Sequence, residues 1–435
     1  MKSWIKLGIT LSAGAFLLSL YSLFFGDTTW IFLIMTFLAV YFSLIFIAGF
    51  FYNRNIEYAE NDYFPFVSIL VPVKDERDVI IKTLKCLLKL DYKKVKNPNY
   101  EILVIDDHSN DGTKEIIENF ISKNSYDNIK VITNNSGRGK PSSLNYGLKY
   151  AKGEIIAVFD ADTFVPVDFL KKTVPYFSDK TIGGVQSKVR IYNADHSILA
   201  AVQDDEFASF STIIQKGRDY IRGAAALGGN GQLNRKKALE EIGGWNENSI
   251  TEDLELTVRL YLRGWSVRYC DSTYVRQEGV TDLKSLFHQR TRWVSGHIET
   301  FLENEWDVLS SSMPFNRKFD LTIYLSGIIT PLPIALSYIF GFLGFFVDIR
   351  NMVYINPWAW IYVSFAFFPV ILAGIYKEIT KNPLELLFRS IRMFIYALHW
   401  IPVFFWAWPS VMIGGFKEKP QKWKKTNHQG IKEFK

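Results

Sequence analysis

The chain has 435 residues, 48% of them apolar and 22% charged, with a formal net charge of +6. A mean hydropathy of only +0.04 at that apolar content means the apolar residues are segregated into blocks. The mild positive charge suits anionic headgroups or an anionic substrate equally, and the absence of any RNA- or DNA-reading motif argues against nucleic acid as a partner. Two cysteines, Cys86 and Cys270, make no disulfide framework, which fits a reducing cytoplasm.

In chain order, residues 7–25 and 30–52 are each about 20 apolar residues, enough to cross a hydrocarbon layer of roughly 30 Å. The turn between them, Gly26-Asp27-Thr28-Thr29, carries no Lys or Arg and is expected outside. Lys2, Lys6 and residues 53–320 are then cytoplasmic. A cleaved signal peptide is the rival reading of the first segment, but its apolar run exceeds an ordinary h-region and leads straight into a second span. Further candidate spans are residues 321–347, 358–376 and 393–416. Three full crossings would leave the tail outside, whereas Lys417, Lys419, Lys422, Lys424, Lys425, Lys432 and Lys435 argue for the inside. Pro402 and Pro409 single out 393–416 as the segment expected to be re-entrant or interfacial. The expected organisation is two spans in 1–52, a soluble domain in 53–300, a membrane region in 301–416 and a basic tail in 417–435. That is a multi-pass plasma-membrane protein with its soluble domain in the cytoplasm.

The polar middle alternates short apolar runs with helical stretches. Strands are predicted at 67–73, 101–106, 129–133 and 154–160, and helices at 78–90, 111–121 and 141–151, the last opened by Pro141. A further helix is predicted at 254–263. Such alternation gives a mostly parallel α/β sheet, in which ligands bind beyond the carboxyl ends of the strands. Asp106-Asp107 and Asp160 both fall at strand ends, so they are expected to meet.

Asp160-Ala161-Asp162 offers two carboxylates suited to a divalent ion that leaves positions open for phosphate oxygens; the plain alternative is a solvated acidic turn. Lys140 follows the turn Ser136-Gly137-Arg138-Gly139 and opens a helix, a place for phosphate or simply a surface loop. Asp106, Asp107 and Glu76 can accept hydrogen bonds from a base or ribose, or cap the next helix. Thr251-Glu252-Asp253 is either an ordinary helix start or the seat of a general base, Asp253. Gln289-Arg290-Thr291-Arg292-Trp293 combines guanidinium forks for a diphosphate with a flat ring for a sugar, or marks an interfacial helix.

Taken in order, these residues resemble the family 2 glycosyltransferases of the cellulose, hyaluronan and poly-N-acetylglucosamine synthase group. The likeness runs over roughly residues 64–300 and loosely into the flanking spans. It implies a GT-A domain, a UDP-sugar donor and Mg²⁺ or Mn²⁺. By resemblance, Glu76, Asp106 and Asp107 contact the nucleoside, Lys140 the donor phosphate, and Asp160 and Asp162 the metal and diphosphate. Asp253 is the base, Gln289, Arg290 and Arg292 face the donor, and Trp293, Glu252, Gly229 and Asn230 lie at the acceptor. Trp423-Lys-Lys-Thr-Asn-His428 also resembles endings in this group. The stretch Gly228-Gly229-Asn230-Gly231-Gln232 lacks the bulkier residues often found at the acceptor loop, which leaves the sugar open. Too few residues follow 416 for an added cyclic-di-GMP module, so activity is expected without it.

The implied reaction is inverting transfer of a hexose to a growing β-linked polysaccharide with translocation, a β-glucan from UDP-glucose being preferred over poly-N-acetylglucosamine. An accessory membrane or export subunit would suit that product. Two alternatives stay open: transfer of one sugar to a membrane lipid, and a non-catalytic nucleotide-binding transport or sensor protein.

Overall fold

The computed structural model describes residues 29–51, 63–94, 97–137, 139–327, 331, 335 and 367–414. The predicted span 7–25, most of 321–347, the first part of 358–376 and the basic tail lie outside the described residues. The chain divides into a sheet unit (53–207, 224–286 and 419–435) and a helical unit (1–52, 208–223 and 287–418).

The sheet unit is built on seven strands: β1 (Val67–Val73), β2 (Tyr100–Asp106), β3 (Ile129–Thr133), β4 (Ile155–Val158), β5 (Ile182–Ile191), β6 (Gln232–Arg235) and β7 (Ser266–Gln277). Their order in the sheet is β3-β2-β1-β4-β6-β5-β7. The first four are mutually parallel, while β6 runs antiparallel to β4 and β5, and β7 returns parallel to β5. Continuous apolar runs make β1, β2 and β4 fit a sheet covered on both faces, and they are buried along their lengths. Val67, Ile69, Val71, Ile102, Val104, Ile155 and Ala157 join Ile80, Leu84 and Ile117 in one core.

The predicted strands 67–73 and 129–133 match β1 and β3, and β2 begins one residue early, at Tyr100. The predicted helix 111–121 is Thr113–Asn124, and that at 141–151 is Lys140–Tyr150. Strand 154–160 is shorter than predicted, because after Val158 the chain turns and the Asp160 N–H meets the side chain of Asn230 at 3.3 Å. The sequence pattern gives no strand at β5 to β7. Gln186, Lys188 and Arg190 interrupt β5, and β6 reads Gln-Leu-Asn-Arg, so no apolar run marks them.

The strand order changes direction between β1, which leads to β2 on one side, and β4 on the other. Pairing of β1 with β4 ends at Leu70–Val158, while pairing with β2 continues to Val73–Asp106. The strands therefore part at their carboxyl ends and open the crevice where α/β sheets hold ligands.

In the helical unit, the predicted span 30–52 is a helix, Thr29–Phe51. Its Gly49 backs onto the Ile213 carbonyl, and Gly217 onto the Ile45 carbonyl, so closely that a Cβ at either would collide with backbone. Small residues let these helices touch backbone to backbone. The Tyr41 hydroxyl donates to the buried carboxylate of Asp320, which also pairs with Arg218 at 3.5 Å. The predicted span 393–416 is not one helix: Pro383–Ala397 and Trp400–Gly414 are separated at Leu398 and His399. Among the described residues, Leu33–Phe51 and Pro383–Met412 are long and apolar enough to cross a membrane.

Candidate active site

Three strand ends deliver the predicted carboxylates. Beyond β1, Asp75 adopts φ +54°, and beyond β2, His108 adopts φ +60°, a region L-residues rarely occupy. The two turns brace each other, with Asn110 N–H donating to Asp75 Oδ1 at 2.7 Å and Asp75 N–H to Ser109 Oγ at 2.9 Å. Asp106 and Asp107 at the end of β2 are buried. Asp107 Oδ2 accepts from the Gly139 N–H at 2.8 Å and lies 3.8 Å from Lys74 Nζ. Asp107 thus holds the glycine-bearing turn that launches the helix Lys140–Tyr150. Glu76 is buried nearby, and its carbonyl accepts from the N–H groups of Val79 and Ile80, starting the next helix.

Lys140, first residue of its helix, is the hub. Its ammonium donates to Asp160 Oδ1 at 2.6 Å and to the Gly229 carbonyl at 3.1 Å, and sits 3.6 Å from Glu252 Oε1. Burial disfavours its charge, but Asp160, Glu252 and Asp253 outweigh that and hold its pKa above the ordinary lysine range. Glu252 and Asp253 open the helix Glu252–Leu262, which starts two residues earlier than the predicted 254–263. Thr251 does not cap it through its side chain, but Glu252 and Asp253 do supply acidic charge to its first turn, and Glu252 also reaches the Lys140 ammonium. Asp253 Oδ1 accepts from the Leu254 N–H at 2.8 Å, which fixes the carboxylate's direction.

Gly229 lies over this group at φ +74°. A Cβ there would stand 2.9 Å from Asp253 Oδ2 and 3.4 Å from Lys140 Nζ, so any side chain at this position would press on both groups. Asn230, expected at the acceptor, lies beside it but turns its amide inward: Oδ1 accepts from Thr163 Oγ1 at 2.9 Å, and Nδ2 donates to Gln277 Oε1 at 3.0 Å. The structure therefore brings together Lys140, Asp160, Gly229, Asn230, Glu252 and Asp253.

Asp162 Oδ2 accepts from the Glu278 N–H at 3.0 Å, whereas the Asp160 side chain is 35% exposed. Among the described residues, no three His, Cys, Asp or Glu side chains converge as a metal cage. One or two carboxylates with the remaining positions left to phosphate and water is the set Mg²⁺ ordinarily takes. Three acids against one ammonium also leave net negative charge at the rim. The residues fit a substrate-completed divalent site.

Gln289, Arg290, Arg292 and Trp293 fall in the helical unit, on the helix Leu283–Ser310. Arg290 is fully buried, its guanidinium 4.1 Å from the Trp293 ring and 5.2 Å from the Trp400 ring, with Nη2 donating to the Tyr396 hydroxyl at 3.3 Å. Lys74, Gln186, Gln277 and Thr163 escape sequence reasoning; a glutamine inside a strand is the one faint signal.

A parting pair of parallel strands with acids and a lysine beyond it defines a GT-A type nucleotide-sugar transferase domain. The chain belongs to glycosyltransferase family 2: residues 65–296 match the family described as "Glycosyltransferase like family 2". That membership makes it a glycosyltransferase and removes the non-catalytic transport or sensor alternative. A beta-monoglucosyldiacylglycerol synthase of Nostoc sp. is 34% identical over 397 residues, covering 85% of this chain and 78% of the relative. A poly-beta-1,6-N-acetyl-D-glucosamine synthase of Staphylococcus aureus is 29% identical over 302 residues, covering 67% of this chain and 70% of the relative. In fold, the chain is similar to the mannosyltransferase PcManGT from Pyrobaculum calidifontis in complex with GDP-Man and Mn²⁺. The TM-score is 0.57 at 18% identity, covering 88% of this chain and 98% of that one.

Proposed function

We propose that this chain is a membrane-bound inverting glucosyltransferase that moves one glucose from UDP-glucose to the free hydroxyl of a diacylglycerol, forming a β-glucosyl lipid. The likeness to the diacylglycerol-glucosylating relative supports the acceptor. It covers 85% of the chain and so extends well beyond residues 65–296, whereas the likeness to the polysaccharide synthase covers 67%. Polymer growth, processivity and an export partner, preferred on sequence alone, therefore give way to the single-sugar alternative. The segments Leu33–Phe51 and Pro383–Met412 are the proposed bilayer contacts, with the catalytic domain, expected over residues 53–300, on the cytoplasmic side.

The observation that carries the chemistry is Asp253, oriented by its own helix start and packed so close to the bare Cα of Gly229 that a Cβ there would stand 2.9 Å from its Oδ2. In this reading Asp253 removes the proton from the acceptor hydroxyl, which attacks C1 of glucose on the face opposite UDP. Lys140 holds Asp160, Glu252 and the Gly229 carbonyl in fixed register, so the cleft needs little reorganisation as charge moves onto the leaving diphosphate. Glu76, Asp106 and Asp107 shape the nucleoside end, while Gln289, Arg290, Arg292 and Trp293, given donor and acceptor roles by resemblance, belong to the helical unit. Mg²⁺ or Mn²⁺ held by Asp160 and Asp162 would neutralise the diphosphate.

The test supplies purified protein in diacylglycerol vesicles with a panel of radiolabelled nucleotide sugars. Label from UDP-glucose is expected in one organic-soluble glucolipid. A ladder of water-soluble glucan would install the polymer reading, and label from another donor only would remove UDP-glucose.

A further inference from the structure

Gln186 lies midway along β5, buried to 3% exposure and flanked in the strand by Val185 and Ser187. A primary amide in such a place is unfavourable unless its donors and acceptor are matched. Here they are: Oε1 accepts from the Gly228 N–H at 2.7 Å, and Nε2 donates to the carbonyls of Asn230 and Ser187, each at 2.9 Å. The partners fix which end of the amide is which, because a backbone N–H only donates and a carbonyl only accepts. The residues paired with Gln186 across the sheet are Gln232 and Tyr269. Its two long-range bonds pass them by and land on the loop, one on each side of Gly229.

The far end of the same loop is tied separately. Asn230 Oδ1 meets Thr163 Oγ1 and the Asp160 N–H, and Asn230 Nδ2 reaches Gln277. Between these anchors Gly229 keeps its left-handed backbone, gives its carbonyl to Lys140 and faces Asp253. Together with the turn's own bond from the Asn230 N–H to the Gly228 carbonyl at 2.8 Å, this one strand side chain braces the segment that touches both the lysine hub and the proposed base.

We propose that Gln186 is a positioning residue for the transfer step. By clamping Gly228 and Asn230 it holds the Gly229 carbonyl on Lys140 and keeps the backbone of Gly229 from crowding the Asp253 carboxylate. The inference rests on the reading of Asp253 as the base.

Two variants of the full chain in diacylglycerol vesicles test it. Gln186→Met keeps length and bulk but makes none of the three bonds. UDP-glucose affinity is expected to stay within about twofold while the transfer kcat falls about 100-fold, the effect of a misplaced reacting group. Hydrogen exchange in the peptide spanning residues 228–231, measured without substrate, should quicken about tenfold on losing buried hydrogen bonds. Gln186→Glu can accept from Gly228 and donate to Asn230 only when protonated, so its rate relative to wild type should rise as pH is lowered. The same ratio for Gln186→Met should stay flat. A merely structural role would depress affinity, kcat and thermal stability together and give flat ratios for both variants. Transfer by Gln186→Met within about threefold of wild type, or unchanged loop exchange, overturns the proposal. If wild type makes no glucolipid while the loop exchange changes as expected, the lipid reading falls and the clamp stands. If wild type and Gln186→Met make it equally well, the clamp falls alone.

Discussion

Replacing Gly229 with alanine would put a methyl carbon 2.9 Å from Asp253 Oδ2 and 3.4 Å from Lys140 Nζ. Two effects follow and can be separated. The first is backbone strain: φ is +74°, and an L-residue there costs about 1–3 kcal/mol. The second is obstruction, since the carboxylate must retreat by several tenths of an ångström and the acceptor hydroxyl loses its place beside it. Misplacement of a reacting group by about 1 Å lowers a positioned reaction about 100-fold. Gly243 is the matched control, with φ +78° but nothing within 4 Å of a built Cβ. Gly243→Ala is expected to lower thermal stability comparably and leave transfer within about twofold, whereas Gly229→Ala loses about two orders of magnitude in kcat. The assay is glucolipid formation in diacylglycerol vesicles, with nucleotide-sugar affinity measured alongside by calorimetry. Equal transfer by the two variants at equal stability would refute the argument that the bare Cα of Gly229 provides the acceptor's space.

Asp160→Asn removes one charge from the proposed metal set. The concentration of Mg²⁺ or Mn²⁺ for half-maximal activity should rise at least about tenfold, in line with losing a direct carboxylate ligand, as read by metal titration after chelation. Lys140→Met leaves Asp160, Glu252 and Asp253 without their common cation, so nucleotide-sugar affinity should fall and the melting temperature drop. The carboxylates raise the Lys140 pKa. Its stabilisation is therefore fully present below the unfolded value of about 10.4 and fades only as pH climbs through the higher folded value. An alkaline stability scan should show this loss in wild type and lack it in Lys140→Met. Arg290→Lys gives up a planar guanidinium against Trp293 and Trp400 together with its bond to Tyr396. A loss of about 1–2 kcal/mol is expected in denaturation of the solubilised protein, and an unchanged midpoint would show the aromatic contacts to be incidental.

Legibility followed local chemistry. The strands β1, β2 and β4 announce themselves as Val- and Ile-rich runs because both their faces are covered, and strand-end acids follow directly. The second half of the sheet does not, since β5 and β6 carry Gln186, Gln232 and Asn234 into the interior, where only the fold reveals what they meet. Lys140, Asp160, Gly229 and Asp253 are distant in sequence, and the chemistry open to each can be named one by one from residue type. Their meeting around a single ammonium depends on β6 returning antiparallel beside β4, which no periodicity signals. Asp107 shows the opposite case: an acid marked for the nucleoside supports the Gly139 turn, a use visible only with its 2.8 Å hydrogen bond in hand. The break at Leu398 and His399 carries no such signal, because the prolines of this stretch, Pro402 and Pro409, lie beyond the two residues where the helix stops.

The sharpest trial of the account is a paired measurement on Asp253→Asn: glucolipid formation from UDP-glucose, and UDP-glucose affinity, on the same preparation. Loss of the general base should remove about 10²–10⁴-fold of the transfer rate, with affinity essentially unchanged because the amide keeps the shape of the side chain. Near-normal transfer would strip Asp253 of its role, and joint collapse of affinity and rate would make it part of the donor site instead.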